Sequence, residues 1–209
     1  MATIYFDLDG TLTDCRPRHY RLYSDICAEL GIRTLSPGRY WTLRRRGAST
    51  PSLIRNASEG LRADFLERWI ERIESAEYVA LDQPLPRAAE TLEGLKKAHK
   101  LMLVTLRRRN DTLLKQLDRA GLAPSLDAMV CPNGHVPESK AQLLEAPAPG
   151  EGFVVGDTEA DIQLANDIGG TSIAVLSGVR GRRYLEAAGA DYVIASVRAL
   201  PALVRTLAS

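Results

Sequence analysis

Cysteine is scarce in this chain: Cys15, Cys27 and Cys131 are the only three in 209 residues. They are odd in number and far apart, which excludes a disulfide framework and a cysteine zinc site and suits a reducing compartment. Histidine is equally sparse, and no pair among His19, His99 and His135 has metal-ligand spacing. Charge of one sign is lacking as well. A net charge of +1 supplies no global field for nucleic acid or an anionic membrane. No apolar run approaches the roughly 20 residues that cross a bilayer. Asp7 and Asp9 interrupt the one early apolar run, so no secretion signal is expected. Neither arginine run, Arg44 to Arg46 or Arg107 to Arg109, has interleaved aromatics, which argues further against nucleic acid. These absences lead to the expectation of a cytoplasmic protein, monomer or homodimer, with no membrane or nucleic-acid partner.

What is present is enough apolar material for a core, 45% of the chain. The length suits one domain or a core with a smaller insert. After about residue 85, short apolar runs alternate with helical patterns. "LMLVTL" (101–106), "AMVC" (128–131), "GFVVGD" (152–157), "TSIAVL" (171–176) and "DYVI" (191–194) read as strands, and "TIYFD" adds one at the start. "DTLLKQLDRAGL", "SKAQLLE" (139–145), "TEADIQLANDIGG" (158–170), "RRYLEAAGA" (182–190) and "VRALPALVRTLA" read as helices. Repeated β–α units predict an α/β fold, a Rossmann-like parallel sheet covered by helices on both faces.

Residues 15–84 break that rhythm. "RHYRLYSDICAELG" places Leu22, Tyr23, Ile26, Cys27 and Leu30 on one helical face. "LRADFLERWIERI" does the same with Leu61, Phe65, Leu66, Trp69, Ile70 and Ile73, while "YWTLRRRG" and "PSLIRN" read as shorter helices. The expectation is an all-helical domain, 15–84, inserted into a core made of 1–14 and 85–209. Trp41 and Trp69 belong to its interior, and Pro84 and Pro86 mark the return to the core.

In an open α/β sheet, ligands bind beyond the carboxyl ends of the strands, near the point where strand order reverses. Four polar signals fall at such positions. Asp7 and Asp9 in "FDLDGTLTD" follow the first strand, Thr105 ends "LMLVT", Lys140 opens the helix after "AMVC", and Asp157 and Asp161 in "GDTEAD" follow "GFVV". One Asp after a strand is commonly a helix cap. Four such groups after four strands, in this order, are hard to obtain by accident.

These residues carry a resemblance. "DLDGT", Thr105, Lys140 and "GDTEAD" resemble the four motifs of the haloacid dehalogenase superfamily. The tail from "GDTEAD" through "GADYVIASVRAL" is similar to its phosphoglycolate-phosphatase-like branch, and the helical insertion resembles the small cap of its first cap class. The resemblance implies a Mg2+-dependent phosphatase acting on a small phosphorylated metabolite, phosphoglycolate being one candidate. Asp7 is the implied nucleophile, forming an aspartyl-phosphate. Asp9 is the implied general acid and base. It lies roughly 6–7 Å along the strand direction, and a turn at Gly10 folds its side chain back. This second Asp favours phosphate transfer over dehalogenation. Asp7, the Asp9 backbone carbonyl and Asp157 are the implied metal ligands. Asp161, one helical turn after Asp157, supports the metal or Lys140. Thr105 and the Leu106 N–H donate to phosphate, and Lys140 holds phosphate and Asp7 together. Thr11 shapes the loop or serves structure alone.

Two departures from the family pattern stand out. Leu106 occupies a place where relatives often have Asn, Gly or Ser, which makes that corner more apolar, and "HVPESK" lacks the "KP" that often accompanies the lysine. Arg44 to Arg46 form either a solvated helix face or the source of one arginine, Arg44, that reaches a second anionic group of the substrate. Arg107 lies at the cleft rim for substrate contact, with Arg108 and Arg109 covering the next helix. His135 sits on a loop at the same face, His19 and His99 read as surface residues, and Cys131 reads as buried packing. Two rivals remain: a phosphomutase resembling beta-phosphoglucomutase, and a non-catalytic phosphate-binding regulatory module.

Overall fold

The computed structural model describes residues 2–54, 57–132, 137–144 and 152–207. His135, Asn56 and the end of "SKAQLLE" lie outside the described residues.

Six strands form one parallel sheet: β1 (Thr3–Phe6), β4 (Lys100–Val104), β5 (Ala128–Val130), β6 (Gly152–Gly156), β7 (Thr171–Val175) and β8 (Tyr192–Ile194). Their order is β5-β4-β1-β6-β7-β8. The chain therefore runs outward from β1 on one side, then crosses back to continue on the other. The order reverses at β1, which opens a crevice beyond the tips of β1, β4 and β6.

Side-chain alternation assigns the two faces. Ile4, Phe6, Leu101, Leu103 and Val155 pack against α5 (Ala88–Lys96), α6 (Asn110–Arg119) and α9 (Leu200–Leu207) through Leu92, Leu113, Leu117 and Leu200. Tyr5, Val104 and Val154 face α7 (Glu159–Ile168) through Leu164, Ala165 and Ile168. A sheet buried on both faces needs strands apolar on both faces, which is why these runs do not alternate. Helix α8 (Arg182–Ala187) covers the β7–β8 side through Leu185.

Between β1 and α5 the chain makes its helical excursion: α1 (Arg16–Glu29), α2 (Pro37–Arg45), a 3-10 turn at Pro51–Leu53, α3 (Glu59–Arg72) and α4 (Ala76–Val79). It has its own apolar cluster, with Leu22, Tyr23, Ile26, Tyr40, Phe65 and Trp69 buried together. On α3 the buried stripe is narrower than its pattern suggests. Phe65 and Trp69 are buried, whereas Leu66 and Ile70 are 36% and 42% exposed; α1 and the 3-10 turn at Pro51–Leu53 pack against α3.

The excursion is not helical to its ends. β2 (Thr13–Asp14) pairs antiparallel with β3 (Gln83–Pro84), so the chain leaves and rejoins the core through a two-stranded ribbon. Strands of two residues are too short to show an alternating pattern. "SKAQLLE" likewise forms a single 3-10 turn at Lys140–Leu143, with Lys140 buried. No helix among the described residues is long and apolar enough to cross a membrane.

Candidate active site

Asp7 continues β1 beyond its tip, its N–H donating to the Val155 carbonyl at 2.9 Å. Lys140 reaches it from the neighbouring turn. The Lys140 ammonium donates to Asp7 Oδ1 at 2.5 Å, to Asp161 Oδ1 at 2.7 Å and to the Val104 carbonyl at 3.1 Å. All three of its donors are used, and the side chain is buried. Asp161 is fixed in turn at the start of α7, where its Oδ2 accepts the Thr158 N–H at 3.1 Å and the Thr158 hydroxyl at 2.8 Å.

Asp157 closes the cluster from the tip of β6. Its Oδ2 accepts the Val179 N–H at 2.6 Å, while its Oδ1 is buried with no partner among the described residues. Backbone presses on this carboxylate from two sides. A Cβ on Gly10 would lie 2.7 Å from Asp157 Oδ2, and one on Gly178 would lie 2.0 Å from it, so only glycine fits at either place.

Asp7, Asp157 and Asp161 each offer a carboxylate oxygen within 4.8 Å of the others. Three acids against one ammonium leave negative charge that burial makes costly. Burial pushes Asp7 up to about 7, with Asp161 and Asp9 adding to the rise and Lys140 opposing it. Burial, then the neighbouring Asp7, pushes Asp157 far above the usual carboxylate range. Burial works against the charged Lys140, but Asp161 and Asp7 outweigh it and hold the ammonium firmly protonated. Asp161 is already satisfied on both oxygens. Asp7 and the unpartnered Oδ1 of Asp157 remain as hard oxygen donors on one side of the crevice, which fits a divalent cation of the Mg2+ type.

Asp9 stands apart from that cluster, in a clamp of arginines. Arg107 holds it at both oxygens, Nε to Oδ2 at 2.7 Å and Nη2 to Oδ1 at 2.9 Å. Arg18 of α1 adds a contact at 2.7 Å. Behind them lies Asp82, 3.2 Å from Arg18 and 3.4 Å from Arg107, with Gln116 bonded to both Asp82 and Arg107. Burial opposes the ionised form of Asp9, yet Arg107 and Arg18 outweigh it and hold the carboxyl well below the usual range. Arg107 thus spends its fork on Asp9, leaving Nη1 buried and unpartnered.

These groups surround one cavity of about 270 Å³. Asp7, Asp9, Thr105, Leu106, Arg107, Lys140 and Asp157 line it from the core, and His19, Arg44 and Glu74 from the helical side. Its size suits a small ligand. A larger groove of about 470 Å³ lies between α5 and α9, remote from the carboxylates.

A family model of haloacid dehalogenase-like hydrolases matches residues 1–169. The chain belongs to that family. As a haloacid dehalogenase-like hydrolase it is similar to the plasmid phosphoglycolate phosphatase of Cupriavidus necator, 27% identical over 97% of this chain and 93% of that protein. It is 26% identical to the phosphoglycolate phosphatase of Aquifex aeolicus, over 85% of this chain and 86% of that one. Among solved structures, a haloacid dehalogenase-like family hydrolase from Streptococcus pneumoniae shares the fold, with a TM-score of 0.81, 21% identity and 98% of both chains covered.

In this family member Asp7, Asp9, Thr105, Leu106, Arg107, Lys140 and Asp157 lie around the one cavity, with Asp161 behind Lys140. Thr105 is buried, and its hydroxyl oxygen accepts the Arg107 N–H at 3.3 Å. Thr11 is buried next to the loop, its hydroxyl unpartnered. Arg44 lines the cavity from the last turn of α2; its Nη1 donates to the Ala48 carbonyl at 2.9 Å, and its Nε is buried without a partner. Arg46 is exposed. Arg108 and Arg109 do not cover the following helix. Their N–H groups donate to Glu74 at 2.8 and 2.9 Å, and their side chains reach the Ile70 and Glu71 carbonyls at the end of α3. Cys131 is half-buried and packs against the main core.

His19 is not a surface residue. It lies between Trp41 and Trp69 at the cavity wall, and burial lowers its pKa well below the usual histidine value. Its position one helical turn before Tyr23, on the buried face of α1, was the available signal. Arg18, one turn before Leu22, shares that signal, whereas Glu74, Asp82 and Arg180 carried none, because their partners are distant in sequence.

Proposed function

We propose that this haloacid dehalogenase-like hydrolase is a Mg2+-dependent phosphatase of small phosphorylated metabolites, working through an aspartyl-phosphate on Asp7. The observation that carries the reading is Lys140 bridging Asp7 and Asp161 beside Asp157, whose inner oxygen is unpartnered. A module that only binds phosphate gains nothing from a nucleophile placed against such a cluster. Both phosphoglycolate phosphatases similar to the chain support that class of substrate, with phosphoglycolate first among the candidates.

In this reading Asp7 attacks phosphorus, the bond to the leaving oxygen breaks, and Asp9 gives that oxygen a proton. Water deprotonated by Asp9 then attacks the same phosphorus, releasing inorganic phosphate and restoring Asp7. Asp9 can carry a proton only after leaving the clamp of Arg107 and Arg18. Thr105 and the Leu106 N–H bind the phosphate oxygens, and Lys140 reaches one only by releasing one of its three present acceptors. Asp7, Asp157 and the Asp9 carbonyl would hold Mg2+, which supplies charge neutralisation between two anions. Asp161 positions Lys140. Arg44 faces a second anionic group of the substrate through its unpartnered Nε. The reading divides the chain into a catalytic core, 1–14 and 85–209, and a cap, 15–84, that excludes water in a cytoplasmic enzyme.

The test is turnover of p-nitrophenyl phosphate and of a metabolite panel, with and without Mg2+. Asp7→Asn is expected to lower kcat by about a thousandfold or more. Full activity in that variant would remove the nucleophile assignment. Isomerisation of glucose 1-phosphate without phosphate release would replace hydrolysis by a mutase reaction, and silence on every substrate would favour the binding module.

A further inference from the structure

The loop after β7, Leu176 to Gly181, touches the metal-binding side of the site and the helical cap at once. On the core side, the Ser177 hydroxyl donates to the Gly10 carbonyl at 2.7 Å, and the Val179 N–H donates to Asp157 Oδ2 at 2.6 Å. On the cap side, Arg180 Nη1 donates to the Arg44 and Ala48 carbonyls at 3.2 and 3.4 Å. The Gly181 N–H donates to the Arg45 carbonyl at 3.0 Å, and Arg45 Nη1 returns a bond to the Leu176 carbonyl at 3.5 Å. Arg180 is buried and held from behind by Glu159, at 2.8 and 2.7 Å, and by the Tyr184 ring, 4.9 Å away. Gly47, with φ of +92°, lets the cap backbone lie against that ring, where a Cβ would fall 2.1 Å from it.

The geometry points to a strap: Arg180 is a positioning residue that couples docking of the cap to the orientation of the Asp157 carboxylate, so that divalent-cation affinity depends on whether the cap is docked. The inference rests on the metal-dependent reading above and adds its regulation. Val179 and Arg180 are consecutive, so their backbone cannot move independently. Pulling the cap carbonyls away from Arg180 displaces the N–H that orients Asp157. Linkage makes the coupling reciprocal: a cation on Asp157 must favour the docked cap by the same factor.

The test uses the full chain, titrated with Mg2+ by calorimetry in the absence of substrate. Arg180→Ala and Gly47→Ala are expected to bind Mg2+ about fivefold to tenfold more weakly than the unsubstituted protein. Gly47 is the sharper probe, because it lies in the cap and touches none of the carboxylates. Arg180→Lys should recover part of the loss. A second readout needs no substitution: Mg2+ should slow hydrogen exchange at the Gly181 amide, whose partner is a cap carbonyl. Unchanged affinity in both alanine variants, or Gly181 exchange indifferent to bound Mg2+, overturns the strap and leaves the phosphatase reading intact. An unsubstituted protein that binds no Mg2+ removes the metal-dependent reading and the strap with it.

Discussion

Lys140 is buried against two carboxylates and a carbonyl, so its substitution should be felt well before catalysis is measured. Removing one partner of a buried pair strands the other as an uncompensated charge. Lys140→Met is expected to cost about 3 kcal/mol of stability at pH 8, read by urea unfolding in the presence of a chelator. The sign of the pH dependence follows from Asp7. Lys140 works to lower the Asp7 pKa, which already sits near 7 against 3.8 for the free side chain. Without the ammonium the folded-state value climbs further. A raised folded pKa means stability that is present at low pH and lost as pH rises through it. The gap between variant and parent should therefore narrow from pH 8 toward pH 5. A gap that widens on acidification would show that Lys140 is not the counter-charge of Asp7.

At the scale of elements, the site depends on how α7 begins. Thr158 and Asp161 bond to each other across the first turn, and Asp161 in turn anchors Lys140. Thr158→Ala removes one hydroxyl from that chain. It should cost about 1–2 kcal/mol in urea unfolding and lower kcat a few-fold with little change in KM. A variant with unchanged kcat would show that Asp161 holds Lys140 without help from the helix start. The same element explains why part of the site was legible in the sequence. Asp157 and Asp161 are four residues apart on a strand-to-helix junction, and Asp7 and Asp9 adjoin a strand and a glycine, so local pattern suffices. Arg18 and Arg107 meet Asp9 only in the fold, with Asp82 behind them, and Arg107 lies 98 residues from Asp9. No periodicity encodes such a pair. The fate of Arg108 and Arg109 was hidden for the same reason, since Glu74 is brought to them by the fold of α3.

For the whole molecule, the covered parallel sheet was legible in the rhythm of apolar runs, because such a sheet leaves that signature in its strands, whereas the order of the strands was not. The cap's helices were legible from their buried faces, whereas its attachment was not. On the metal-dependent reading, a cluster of acids that exists only in the folded chain ties stability to the ion. Mg2+ at about a hundred times its dissociation constant should stabilise the protein by about 2.7 kcal/mol, and a chelator should reverse the gain. Thermal melts at several Mg2+ concentrations check this, and a melting temperature indifferent to Mg2+ would argue that the cluster holds no ion.

The β2–β3 ribbon has a consequence of its own. Thr13 faces Pro84 and Asp14 faces Gln83, so the point of departure and the point of return are already neighbours. Everything between them could be exchanged for a tight reverse turn, or for a wholly different subunit, without breaking a single hydrogen bond of the six-stranded sheet. The fold presents a socket at this place, and on the proposed reading substrate choice can change there by swapping the plug.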